Sequence, residues 1–169
     1  MPKKLEIEKK FIIAYPDEDY LKSLPECTYS DIEQIYLVCG DDTLSERIRK
    51  RGLPGDYKYY HTVKRHITAG TREESEELIT EEEYEELKLR ADPKLSAIHK
   101  TRYVIPYKGQ ILEIDVFPFW DRQAYLEVEL EYFSIDPEIP DYIKCMCDVT
   151  ADFKYSNHAL AHRIPDQII

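Results

Sequence analysis

Glu6, Glu8 and Lys10 stand two residues apart in the stretch LEIEKKF. On a β-strand, side chains at i, i+2 and i+4 share one face. Two carboxylates and an ammonium would therefore project together, with Leu5, Ile7 and Phe11 on the other side. Two carboxylates at that spacing can share a hard divalent cation, and the lysine can meet an anion which that cation also binds. A surface strand with its charges in water shows the same alternation, so one such strand decides little.

The pattern recurs. Arg47 and Arg49 flank Ile48; Thr62 and Lys64 flank Val63; Glu74 and Glu76 flank Ser75. Lys100 and Arg102 flank Thr101, Glu113 and Asp115 flank Ile114, and Glu127, Glu129 and Glu131 alternate with Leu126, Val128 and Leu130. A sheet with one wet face and one core face accounts for any single case. Three features of the set weigh against it. The charges segregate by strand, basic pairs on some and acidic pairs on others. Paired arginines on one face suit bidentate anion binding, because each guanidinium is a planar fork. Several acidic pairs have metal-ligand spacing with no fixed basic neighbour in sequence.

The elements that must position these groups are mostly strands. Alternation and turn residues predict strands over 3–13, 33–40, 43–51, 57–67, 73–79, 100–107, 110–117 and 124–133. Gly40-Asp41-Asp42 and Lys108-Gly109-Gln110 read as short hairpin loops and Leu53-Pro54-Gly55-Asp56 as a longer turn, so neighbouring strands are expected to be antiparallel. Helices are expected over 15–24, over 81–90 behind a Thr80/Glu83 capping box, over 137–144 and over 156–161. The fold class expected is α+β dominated by β, in one domain spanning 1–169. If the strands close with the charged face inward, acids alone or bases alone would repel. A mixed lumen is stable around a polyphosphate and divalent cations. The apolar faces would then point outward, under the helices.

Composition narrows the choice. The formal net charge of -11 argues against general nucleic-acid binding. No apolar run is long enough to cross a membrane, and MPKKLEIEKKF lacks the apolar core of a secretory signal, so the cytoplasm is the expected compartment. Cys27, Cys39, Cys145 and Cys147 lack paired zinc-ligand spacing and are expected as free buried thiols. His158 and His162, four apart on an expected helix, are read as structural.

In order along the chain, these segments resemble the CYTH superfamily, the triphosphate tunnel metalloenzymes, and its bacterial tripolyphosphatase-like members in particular. The resemblance is carried by E-x-E-x-K (Glu6, Glu8, Lys10), R-x-R (Arg47, Arg49), T-x-K (Thr62, Lys64), R-x-E-x-E (Arg72, Glu74, Glu76), K-x-R-Y (Lys100, Arg102, Tyr103), E-I-D-V-F (Glu113–Phe117), L-E-V-E-L (Leu126–Leu130) and DVTADFKYSNHALA (Asp148–Ala161). It covers nearly the whole chain. Ala151 and Phe153 depart from it, standing where glycine and a basic residue are frequent.

The resemblance implies a closed eight-stranded antiparallel β-barrel, with helices packed outside, that holds a triphosphate and Mg²⁺ or Mn²⁺. By motif, Lys10, Arg47, Arg49, Lys64, Lys100 and Arg102 would bind phosphates, with Lys154 reaching the tunnel mouth. Glu6, Glu8, Asp115, Glu127 and Glu129 would carry metals, together with Glu113 and Glu76. Glu6 or Glu129 would take the proton of the attacking water, and Lys64 counts with the catalytic groups. The expected activity is metal-dependent hydrolysis of inorganic tripolyphosphate to pyrophosphate and phosphate. No aromatic cluster in the sequence is assignable to a base or a thiazole. A class IV adenylate cyclase and a non-catalytic polyphosphate- or nucleotide-binding module are the alternatives. The partner expected is a small-molecule triphosphate, with no nucleic acid and no membrane, and a homodimer is an allowed assembly.

Overall fold

Two tight turns set much of the sheet register. Lys108 and Gly109 both have positive φ (48° and 75°), the conformation of a two-residue hairpin whose twist matches its strands. That turn pairs Tyr107 with Gln110 and, counting back, Arg102 with Asp115. The Leu53–Asp56 turn likewise pairs Arg47 with Thr62 and Ser45 with Lys64. Beside it, Gly52 has φ 149°, and a Cβ there would collide with the Asp56 carbonyl oxygen.

The computed structural model describes residues 4–68, 71–130 and 135–168, with side chains in the first strand described from Ile7 onward. In chain order its elements are β1 (Lys4–Ala14), α1 (Glu18–Ser23), β2 (Thr28–Tyr36), β3 (Leu44–Leu53), β4 (Asp56–Thr68), β5 (Thr71–Ile79), α2 (Glu81–Leu87), β6 (Ile98–Tyr107), β7 (Gln110–Val116), β8 (Gln123–Glu129), β9 (Cys145–Asp148) and α3 (Asn157–His162). The sheet order is β5-β4-β3-β2-β6-β7-β8-β1-β9, and β5 also pairs with β1. Eight antiparallel strands thus close a barrel, and β9 is added alongside β1.

Burial follows the alternation. The outward side chains of β1, β6, β7 and β8 form one core with Leu21 of α1 and Ile143 over them. The outward residues Ile35 and Ile48, with Leu37 and Tyr59, form a second under Tyr84 of α2. The third core is inside. The inward series of several strands turn from charged to apolar toward one end, at Ile12, Tyr36, Ile98, Phe117 and Tyr125. Val149, Tyr155, Leu160 and Ala161 of the C-terminal segment pack onto them and seal that end.

Several expectations shift. The second strand runs 28–36, not 33–40, because the chain leaves the sheet at Leu37. There the Leu37 amide donates to the Glu46 carbonyl, the Val38 amide donates to Arg90, and Val38 is exposed. β9 was not foreseen; all four of its residues are exposed and carry no alternation. Residues 137–144 form no helix, although Ile139 and Ile143 still cover the barrel. The last helix, α3, plugs the barrel instead of lining its outside. The strand expected over 124–133 is β8, which ends at Glu129; Leu130 is already outside it, and 131–133, Glu131 among them, lie outside the described residues. The Thr80/Glu83 capping box is present, with both reciprocal bonds at 3.1 Å. All four cysteines are free thiols, but none is buried: Cys27 and Cys39 are half-buried and Cys145 and Cys147 exposed. Among the described residues no helix is long and apolar enough to cross a membrane.

Candidate active site

The inward charges surround a cavity of about 570 Å³. Strand β3 supplies Arg47 and Arg49, β4 supplies Lys64 and β6 supplies Arg102; facing them are Glu8 and Lys10 of β1, Glu113 of β7, and Glu127 and Glu129 of β8. Nine of the residues singled out in the sequence therefore meet at one site. Register explains the grouping: Glu8 opposes Glu129, Lys10 opposes Glu127, and Glu113 opposes Glu127 across adjacent strands.

The basic side holds donors with nothing to bind. Arg47 and Arg49 are each 7% exposed, and among the described residues the Nε of each is buried without a hydrogen-bond partner. Burial pushes the Arg49 guanidinium down to about 9, and the neighbouring Arg47 and Arg102 charges push the same way. It pairs with Glu76 at 3.4 Å. A polyanion entering here would meet guanidinium forks that need little further desolvation.

The acidic side is crowded in the opposite sense. Glu8, Glu113, Glu127 and Glu129 all line this side, and among the described residues the buried Glu127 Oε1 makes no hydrogen bond, with Lys10 Nζ 3.4 Å away. Burial alone would raise Glu127, but Lys10, Arg102 and Lys100 hold it below the usual carboxylate range. Glu8 also accepts from Arg72 Nη1 at 3.0 Å. The oxygen-only donor set suits Mg²⁺ or Mn²⁺. Among the described residues no three acidic, histidine or cysteine side chains form a ready-made cage. Paired carboxylates fit Mg²⁺ in particular, which keeps several waters and completes its shell with substrate phosphates.

The remaining predicted residues lie elsewhere. The Glu6 side chain is outside the described residues; its backbone pairs with Arg72. Glu76 accepts from Thr62 Oγ1 at 2.9 Å behind Arg49. Asp115 and Lys100 sit behind the cavity wall, bonded to each other at 2.8 Å. Burial pulls the Lys100 ammonium down to about 7, with Asp115 pushing up against it. Lys154 is exposed, 3.9 Å from Asp152, and is not among the residues that line the cavity. Phe153 lines the cavity instead, its ring edge-on to His66 at 5.1 Å. His158 lines it too, edge-on to Tyr36 at 4.9 Å. Sequence reasoning passed over Arg51, which lines the cavity and donates to Ser30 at 3.0 Å. Its position two residues beyond Arg49 was the available signal.

The C-terminal segment reaches the lysines as well. Lys10 Nζ donates to the Tyr155 carbonyl at 3.2 Å, and Lys100 Nζ donates to Asn157 Oδ1 at 3.2 Å.

No family model and no curated protein matches the chain. Solved structures do. The inorganic triphosphatase NE1496 is 29% identical, with 95% of this chain and 97% of that one covered and a TM-score of 0.58. A conserved protein of Pyrococcus furiosus is 26% identical over 76% of this chain and 80% of that one, with a TM-score of 0.57. The adenylyl cyclase-like HpAC1 of Hippeastrum, whose dominant activity is that of a triphosphatase, is 16% identical over 75% of this chain and 80% of that one, with a TM-score of 0.52. That last likeness is one of fold.

Proposed function

We propose that this chain, a member of the CYTH superfamily, hydrolyses a triphosphate inside the barrel, with inorganic tripolyphosphate as substrate and pyrophosphate and phosphate as products. The observation that carries this reading is the pair of guanidinium Nε groups of Arg47 and Arg49, buried and without a partner among the described residues, facing the crowded carboxylates of Glu8 and Glu127. A small polyanion with a divalent cation satisfies both walls at once. The likeness to an inorganic triphosphatase at 29% identity supports the same reaction class.

Arg47, Arg49, Arg102 and Lys10 bind and orient the phosphate oxygens. Preorganised donors in a site with little water stabilise the charge that develops as the terminal phosphoanhydride breaks. Glu8, Glu127 and Glu129, with Glu6, would hold Mg²⁺ or Mn²⁺. When bound, the cation supplies charge neutralisation across the phosphates and a polarised water. Glu129, at the open part of the cavity, or Glu6 accepts the proton of the attacking water. Lys64 offsets charge on the departing phosphate.

The test is a product screen with tripolyphosphate, ATP and thiamine triphosphate against each divalent metal. Phosphate release from tripolyphosphate that stops with EDTA is expected. Cyclic AMP and pyrophosphate from ATP would move the assignment to a cyclase. Tight binding with no turnover of any of the three would make the chain a binding module.

A further inference from the structure

Asp115 has a different environment from the other acids of the barrel. Its side chain is fully buried. Oδ1 accepts from Arg102 Nε at 2.7 Å, while Oδ2 accepts from Arg102 Nη2 and from Lys100 Nζ, both at 2.8 Å. The Arg102 contact is fork to fork, the geometry that fixes a guanidinium plane. Arg102 Nη1 then donates to Glu113 at 3.1 Å. A guanidinium has five N–H donors. Three are held by acids, and the remaining ones are left to the cavity that Arg102 lines. A divalent cation at Asp115 would have to displace a buried ammonium or guanidinium from bonds of 2.7–2.8 Å. Removing one partner from such a pair strands an uncompensated charge. Glu8 and Glu127 contrast with this: both line the cavity, and among the described residues the buried Glu127 Oε1 has no hydrogen-bond donor.

We infer that Asp115 is a positioning residue that locks the Arg102 guanidinium toward the substrate phosphates, and is not a ligand of the divalent cation. The inference rests on the triphosphatase reading of the cavity. Asp115→Asn tests it in two ways. In EDTA, the variant should melt below wild type by about 5 °C or more, since two buried cations lose their counter-charge. Asp115→Asn with Lys100→Met should recover at least half of that loss, and should fold with a melting point near wild type even where Asp115→Asn alone does not fold. With Mn²⁺, its dissociation constant for the ion should stay within about two-fold of wild type, while its KM for tripolyphosphate rises about ten-fold and is not restored by excess Mn²⁺. Melting in EDTA at or above wild type would overturn the inference, because that is what removing one of a set of repelling metal carboxylates does. So would Mn²⁺ binding weakened ten-fold or more. If wild type binds no Mn²⁺, the metal reading fails, and the melting comparison still decides the role of Asp115.

Discussion

Glu8 and Glu129 stand directly opposite each other on the adjacent strands β1 and β8, and both line the cavity. Like charges directly opposite repel unless a proton or a cation lies between them. Replacing Glu6 and Glu8 together with Gln should therefore reduce Mg²⁺- or Mn²⁺-dependent phosphate release by about 100-fold or more. Circular dichroism should show an intact fold. Undiminished turnover in that double variant would remove β1 from the metal site.

Arg49→Met separates binding from stability. Arg49 is buried beside two other arginines and, among the described residues, leaves its Nε without a partner. Its loss should weaken metal-free tripolyphosphate binding by about 10–100-fold, the worth of charged hydrogen bonds. The free protein should melt no lower than wild type. Calorimetry and thermal melting read the two effects, and an affinity within two-fold of wild type would exclude Arg49 from the phosphate site.

Lys100 predicts a pH dependence. Its folded pKa of about 7 lies below its ordinary 10.5. Between those values the unfolded chain binds more protons than the folded one, so this group makes stability rise with pH across that window. The penalty is fully present below pH 7. Comparing melts of wild type and Lys100→Met from pH 6.5 to 9 should show the gap between them closing as pH rises in favour of wild type. A constant gap would mean that Lys100 stays charged throughout.

Thr80→Ala probes the scaffold away from the cavity. Loss of the capping box at α2 should cost about 1 kcal/mol of stability, read by denaturant unfolding. Phosphate release at 25 °C should remain at the wild-type rate. A cost below about 0.3 kcal/mol would mean that tertiary packing through Tyr84, and not the cap, holds α2.

The barrel was legible because its alternation is strict and two hairpin turns fix the pairing. Counting back from Lys108-Gly109 places Arg102 opposite Asp115 without coordinates, so the lock between them was readable in principle. Motif reading hides it, because E-I-D reads as one metal-ligand motif although its two acids meet different neighbours. Glu113 faces Glu127 across β7 and β8, while Asp115 faces Tyr125. β9 was invisible because CMCD has no buried face. The plug was unreadable for another reason. Whether α3 covers the outside or the end of the barrel depends on Ile12 of β1, Tyr36 of β2 and Phe117 just past β7, whose convergence no local pattern reports.

β1 pairs with β8 on one side and with β5 and β9 on the other. Its Lys10 amide donates to Thr150 Oγ1, 140 residues away. During synthesis, β1 therefore leaves the ribosome long before most of its partners exist. Contacts of such separation make folding slow, and until they form β1 offers an open edge to other chains. A nascent chain stalled before residue 123 would display the barrel's first strand with most of its neighbours missing. Chaperone dependence during translation, measured by how much protein remains soluble when synthesis is slowed or truncated there, is where this connectivity would first be felt.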